Sequence, residues 1–231
     1  MTFQELMSHL KEIGTEQNRK IYRRHGAGES LFGVSFKDLD RIKAELGSNL
    51  DLARKLWQSG NADARSLALK IGEELSFEEA QKWAQEVNYY VHAELLAKLA
   101  AKRDWSLKAL KKWTQGGSDW LQATGYDLLA HLLKEEAKLK AKLPSFELDA
   151  EEVKGYLQMI EQQIGQSANR ARHSMNRALI AMGTYRSELR DQVFEVLERI
   201  GPVQVDHGQT DCKTPSAKEY ILKALQRGSK K

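Results

Sequence analysis

The segment Asn61–Gly72 has the sequence NADARSLALKIG, in which small residues and leucines recur on one face of a helix. The same plan returns in Ser118–Leu129, SDWLQATGYDLL, and in Ala168–Ile180, ANRARHSMNRALI. The spacing between these copies is roughly 50 residues, enough for one three-helix unit or one longer helix pair. The pattern therefore predicts helical units that stack along the chain.

The rest of the chain has apolar residues at helical spacing, separated by short Gly, Ser, Asn or Asp turns. We therefore predict an all-α fold, a right-handed α-solenoid of HEAT-like repeats with a concave basic groove. The predicted helices are 2–13, 15–24, 36–46, 49–58, 61–75, 77–86, 89–103, 106–115, 118–134, 149–164, 168–182, 186–200 and one near 216–227. Candidate N-caps are Ser35, Asn61, Ser76 and Ser106.

The order of these helices predicts a single domain over residues 1–231. Residues 1–33 form an N-terminal helical cap, 34–201 form the repeats, and 202–231 form a C-terminal loop and capping helix. The charged stretch Leu133–Pro144 is interpreted as a helix end and linker between repeats. A solenoid with both ends capped is expected to be a monomer.

Composition limits the class of protein. The chain has 231 residues, a formal net charge of +4 and one cysteine, Cys212, which excludes an internal disulfide and a zinc site built on several thiolates. The N-terminus lacks the pattern of a signal peptide, and the chain has no apolar run of about 18 residues. We therefore expect a cytoplasmic protein that does not span a membrane.

Positive charge is concentrated between Gln162 and Ser187, a segment that contains no Asp or Glu. This pattern predicts a polyanion partner, with Arg170, Arg172 and Arg177 on its phosphates. A second basic group comprises Lys98, Lys102, Arg103, Lys108, Lys111 and Lys112. The alternative for both groups is a solvated helix face that only keeps the surface soluble.

Several segments together resemble a known family. They are Leu31–Val34 (LFGV), Ala64–Ala68 (ARSLA), Asp119–Gln122 (DWLQ) and Arg172–Asn176 (RHSMN). In this order they are similar to the AlkD-type DNA alkylation repair proteins, which are HEAT-like solenoids. The resemblance covers about residues 30 to 225 and implies a double-stranded DNA partner, alkylated or distorted, and excision of N3- or N7-alkylated purines without a cofactor or metal.

The resemblance also implies site residues. The aromatic and carboxylate positions of the family fall on Tyr90 and Glu94, whose spacing places both on one helix face. Glu94 would stabilise the developing sugar cation and Tyr90 would stack on the nucleotide, although an aromatic residue here also suits a core. Ala123 stands where the family has an arginine, and Asn176 stands where it has a second cleft tryptophan.

Five further residues have alternative roles. Trp120 either reaches the groove or fills the junction between repeats, and His92 is a lesser candidate beside Glu94. The loop residues Asp206, His207 and Cys212 have ligand chemistry for a divalent metal. The alternative for this loop is a C-terminal cap ordered by side chain to backbone hydrogen bonds, and we predict no metal site.

Three functions stay open from the sequence. The first is a DNA-binding alkylation repair protein, either with or without glycosylase activity through Glu94. The second is a non-catalytic reader of structured or damaged DNA or RNA, and the third is a solenoid that binds proteins. Salt dependence separates the third from the others, because phosphate contacts weaken steeply as salt rises.

Overall fold

The computed structural model describes residues 1–143 and 145–228 and is helical throughout, with no strand in these ranges. This confirms the predicted all-α class. The helices are α1 (Phe3–Ile13), α2 (Glu16–Arg24), α3 (Phe36–Leu46), α4 (Leu50–Gln58), α5 (Ala62–Ile71), α6 (Phe77–Glu86), α7 (Tyr90–Ala100), α8 (Ser106–Thr114), α9 (Asp119–Lys142), α10 (Ala150–Gln163), α11 (Asn169–Tyr185), α12 (Arg190–Ile200) and α13 (Ala217–Gly228). Among them, none is long and apolar enough to cross a membrane.

Side-chain caps fix most of the predicted helix starts. The side chains of Ser35, Asn61 and Ser76 each accept a backbone N–H from the first turn of their own helix. The prediction for Ser106 is wrong, because Ser106 is already the first residue of α8. Trp105 precedes it without a side-chain cap.

The charged stretch predicted as a linker is mostly helical. Helix α9 continues to Lys142, where the sequence predicted an end near residue 134. Ion pairs at helical spacing join Glu135 to Lys138 and Glu136 to Lys140, and Leu139 is buried. These contacts stabilise the extra turns, which charge composition alone did not indicate.

The described residues form two compact units. The N-terminal unit comprises Met1–Leu99 together with His207–Asp211, and the C-terminal unit comprises Ala100–Asp206 together with the residues from Cys212 on. In the N-terminal unit, the rings of Trp57 and Trp83 stack in parallel with centroids 4.5 Å apart. This pair joins α4 to α6 in the core.

Asp63, on α5, holds the Leu31–Val34 segment in place. Its carboxylate accepts the backbone N–H groups of Phe32, Gly33 and Val34 at 2.6, 2.9 and 3.0 Å. Burial raises the pKa of the Asp63 carboxyl, while these N–H donors act in the opposite direction. The segment that carries part of the family resemblance is therefore ordered by a buried acid.

In the C-terminal unit, α9 packs directly against α8 and α11. Gly125 allows α9 to approach α8 closely, since a Cβ at Gly125 would lie 2.5 Å from the backbone nitrogen of Thr114 in α8. Helix α11 also packs against α12 and α13. The two C-terminal copies of the repeated sequence are thus neighbouring helices, which positions the arginines of α11 over α9.

The long segment after α12 is non-helical, as predicted. Asn169 exchanges two hydrogen bonds with the backbone of Asp206, at 2.7 and 2.8 Å. The Thr210 hydroxyl donates to the carbonyl oxygen of His207 at 2.9 Å, a side chain to backbone hydrogen bond of the kind expected for an ordered loop. Across the described ranges, no group of three His, Cys, Asp or Glu residues is arranged to hold a metal ion.

Candidate nucleic-acid interface

The arginines of α11 lie over a buried acid on α9. Asp127 has a fully buried side chain, and its two oxygens accept from Arg170 Nη2 at 3.2 Å and Arg177 Nη1 at 3.1 Å. Arg170 Nη1 also lies 3.0 Å from His173 Nδ1. Two guanidinium groups therefore converge on one buried carboxylate in this packed helix pair.

Arg172 has a different environment from its neighbours. Its Nε, Nη1 and Nη2 donate to the carbonyl oxygens of Ile164, Gly165, Ser167 and Gln204, at 3.1 Å from Nε to Ile164 and 2.8 Å from Nη2 to Ser167. The guanidinium therefore closes the exposed C-terminal end of α10 and holds the loop after α12. The N–H groups of Arg172 that we predicted to contact phosphates therefore donate to backbone carbonyl oxygens instead.

Two positions that the family resemblance places in the cleft are buried here. Ala123 is fully buried within α9, and Asn176 is 1% exposed within α11. The Asn176 amide donates to the carbonyl oxygen of Pro215 at 2.9 Å, just before α13. Neither side chain presents an atom to a bound nucleic acid, and Asn176 orders the start of the last helix.

Tyr90 and Glu94 both belong to the N-terminal unit and stand one turn apart on α7. Tyr90 is half-buried, with its ring centroid 5.1 Å from that of Tyr89 and 6.1 Å from that of His25. It packs against a buried cluster formed by Ala27, Leu31, Tyr89 and Val91. Glu94 is half-buried, and its shared face with Tyr90 agrees with the predicted spacing.

His92, the lesser candidate beside Glu94, is a core residue. It is 1% exposed, and its Nε2 lies 3.0 Å from the carbonyl oxygen of Ala62. Burial lowers the pKa of His92 to about 4, so the imidazole is neutral at physiological pH. A neutral, enclosed imidazole has no access to a DNA backbone.

The lysines differ from the arginines because they are exposed. Lys98 lies near the end of α7, and Lys102 follows that helix. Helix α8 buries Ala109, Leu110 and Trp113 on its inner side. Its opposite side exposes three lysines, Lys108, Lys111 and Lys112, which we name the α8 lysine face. Trp120 is half-buried in the first turn of α9.

Two acids that organise this region were missed by the sequence analysis. Asp127 is one, and Asp119 is the other, since its carboxylate accepts the backbone N–H groups of Arg170 and Ala171 at 3.3 and 2.6 Å. Ala168 at the N-cap of α11 cannot perform this role itself. The sequence signal for Asp127 was a lone acid among apolar neighbours, which is typical of a paired buried charge.

A family model described as DNA alkylation repair enzyme matches residues 6–221. The chain belongs to this family. It is 30% identical over 235 residues to the uncharacterized protein Lin0241 of Listeria innocua and to the uncharacterized protein Lmo0209 of Listeria monocytogenes, each alignment covering 98% of this chain and 99% of the relative. The family resemblance inferred from the sequence is therefore confirmed.

The fold matches a solved structure described as a new family of proteins related to the HEAT-like repeat DNA glycosylases with affinity for branched DNA structures. The TM-score is 0.86 and the identity is 25%, over 99% of this chain and 95% of that one. This match confirms the HEAT-like repeat fold of this member of the DNA alkylation repair enzyme family.

Proposed function

We propose that this protein binds branched DNA through its phosphate backbone and does not excise bases. The proposed absence of base excision rests on the burial of Ala123 and Asn176. These residues stand at two of the four positions that the family resemblance places in the cleft. A glycosylase needs groups aimed at the reacting nucleotide, and these two positions supply none. Tyr90, at a third position, packs against a buried cluster.

The α8 lysine face supports the first half of the proposal. Lys108, Lys111 and Lys112 are exposed on a helix with no acidic residue, and lysines in such an arrangement attract phosphates regardless of base sequence. The structurally similar protein has affinity for branched DNA structures, and we extend that partner to this chain. Binding through the backbone suits a partner that is recognised by shape.

The test compares a four-way junction with a linear duplex of equal nucleotide count, by fluorescence anisotropy over a salt series. We expect tighter binding to the junction and affinity that falls steeply with salt. Lys111→Ala/Lys112→Ala should lower the slope of log K against log salt by about 1.8, since each of the two lost phosphate contacts contributes roughly 0.9. Lys134→Ala/Lys142→Ala, which removes two exposed lysines of α9, serves as the charge-matched control.

Two binding results would contradict the proposed preference for branched DNA. Equal affinity for junction and duplex would remove the preference for branched DNA. Absence of DNA binding at low salt would leave an RNA partner or the protein-binding solenoid as the function.

A second candidate is an alkylpurine glycosylase that works through Glu94. The observation in its favour is that Glu94 keeps a carboxylate one turn from Tyr90 on α7. The assay measures release of 7-methylguanine and 3-methyladenine from methylated DNA, with Glu94→Gln beside the wild type. If the wild type releases these bases and Glu94→Gln releases them at least about tenfold more slowly, the protein is a glycosylase that works through Glu94. The proposal that it does not excise bases would then be wrong.

A further inference from the structure

Helix α2 has an exposed face that the proposed function leaves unassigned. None of its residues is buried, and an isolated helix of this length is marginal in water. Gln17, Lys20, Ile21 and Arg24 occur at positions i, i+3, i+4 and i+7 and are all exposed. We name these four residues the α2 outer face; it contains two cations and no acid.

The opposite side of α2 fixes the direction of this face. Asn18, Arg19 and Tyr22 donate side-chain hydrogen bonds to the carbonyl oxygens of Gly33, Phe32 and Val34, at 3.0, 2.9 and 2.9 Å. The segment that accepts these bonds is itself held by Asp63 through three backbone N–H groups. The helix is therefore held by directional polar contacts, which orient its outer face.

Gly33 shows how closely the two segments approach. Its φ is +80°, and a Cβ there would lie 2.4 Å from the carbonyl oxygen of Thr15, just before α2. The backbone N–H of Thr15 donates to the carbonyl oxygen of Gly33 at 3.0 Å. Only a glycine tolerates both this conformation and this contact.

The cations of α2 fall into two groups. Arg19 pairs with Glu16 at 2.8 Å, and Arg23 pairs with Glu29 at 3.1 Å. In the ranges that the structure describes, Lys20 and Arg24 have no acidic partner within 4.0 Å. The hydrogen bond from Arg19, with the charge of Lys20 adding to it, lowers the pKa of Glu16 on the same helix. Among the described residues neither outer-face cation is held in an ion pair, so both can reach an external anion.

We propose that the α2 outer face binds the phosphate backbone of a duplex arm of branched DNA, an inference that rests on the proposed function. Lysine, arginine and glutamine side chains are common donors to DNA phosphates, and two cations one turn apart complement a run of phosphates. Ile21 is 40% exposed and lies between Lys20 and Arg24. In the proposed complex its apolar side chain contacts a deoxyribose of the same strand. Such contacts carry no base specificity, which suits arms of any sequence.

The test compares the double variant Lys20→Ala/Arg24→Ala with wild-type protein on the four-way junction. Alanine preserves the helix, and none of the bonds to Phe32, Gly33 or Val34 is touched. We expect about tenfold weaker binding at low salt and a slope of log K against log salt lower by about 1.8, as for two lost phosphate contacts. Lys20→Arg/Arg24→Lys keeps the charges and should bind like the wild type.

Lys37→Ala/Lys55→Ala is the matched control, because it removes two exposed lysines from α3 and α4 of the same unit. It should bind within about twofold of the wild type. The inference would be overturned if the control lost as much DNA affinity as Lys20→Ala/Arg24→Ala. It would also be overturned if Lys20→Ala/Arg24→Ala bound with wild-type affinity and salt slope. In both cases the proposed function stands. Wild-type protein that binds neither junction nor duplex would overturn both.

Discussion

At the residue scale, the most consequential contact is the buried carboxylate of Asp127 between Arg170 and Arg177. Asp127→Asn removes the buried negative charge that both guanidinium groups contact in this packed helix pair. We expect the free energy of unfolding to fall by about 3 kcal/mol, measured by urea denaturation. Asp51→Asn, which breaks an exposed pair with Arg54, should change it by no more than about 0.5 kcal/mol.

Arg172 gives a second test at this scale. Its guanidinium donates to four backbone carbonyls, a geometry that an ammonium group cannot reproduce. We expect Arg172→Lys to lower the free energy of unfolding by about 2 kcal/mol and to leave the salt slope of DNA binding unchanged. A stable Arg172→Lys protein with a normal slope would instead favour the phosphate contact predicted from the sequence, since lysine also binds phosphate.

His92 predicts a pH dependence of stability. Its pKa is lowered to about 4 in the folded protein by burial, against 6.5 for the exposed side chain. Between these values the unfolded chain binds a proton that the folded protein does not, so stability falls as pH drops below 6.5. The full loss is roughly 3 kcal/mol, reached near pH 4.

Urea denaturation at pH 7 and pH 5 measures this loss. His92→Gln still donates to the carbonyl oxygen of Ala62 but does not titrate, so its stability should change less over this interval. If the free energy of unfolding of His92→Gln falls between pH 7 and pH 5 as much as that of the wild type, other groups cause the acid sensitivity.

At the element scale, the contact between α8 and α9 depends on Gly125. A Cβ at this position would lie 2.5 Å from Thr114 N and 2.8 Å from the carbonyl carbon of Trp113, both backbone atoms. Because a helix backbone cannot move locally, Gly125→Ala must displace one helix. We expect a loss of about 3 kcal/mol in the free energy of unfolding.

Gly155 in α10 is the matched control, since a Cβ there meets nothing within 4 Å. Gly155→Ala should raise the free energy of unfolding by up to about 1 kcal/mol through helix propensity. The two substitutions are chemically identical and should have opposite signs in the same denaturation experiment. A neutral Gly125→Ala would show that α8 and α9 separate without cost.

Elements were predictable where their signals are local. Ser35, Asn61 and Ser76 cap helices with bonds inside their own first turn, so the sequence alone located those starts. The end of α9 was missed because Leu139 is buried by tertiary packing. The start of α11 depends on Asp119, a residue 51 positions from Arg170, which no local pattern reports.

At the scale of the whole molecule, the small net charge of +4 makes the position of each cation more important than the total. Many cations are held by acids or carbonyls, as Arg170, Arg172 and Arg177 show. The cations of the α2 outer face and the α8 lysine face are exposed, and we expect them to contribute to the salt dependence of DNA binding. Removing them tests the two proposed surfaces separately.

The helical class and most helix starts follow from local signals, because periodicity and caps act within a few residues of the chain. Membership of the DNA alkylation repair enzyme family follows from the order of motifs along the chain. The partners of the charged side chains, in contrast, depend on tertiary packing. Arg170 and Asp127 are 43 residues apart, and Arg172 and Gln204 are 32 apart. A guanidinium donates to phosphate, carboxylate and carbonyl oxygens alike, so its partner depends on which group the packing of helices brings within reach.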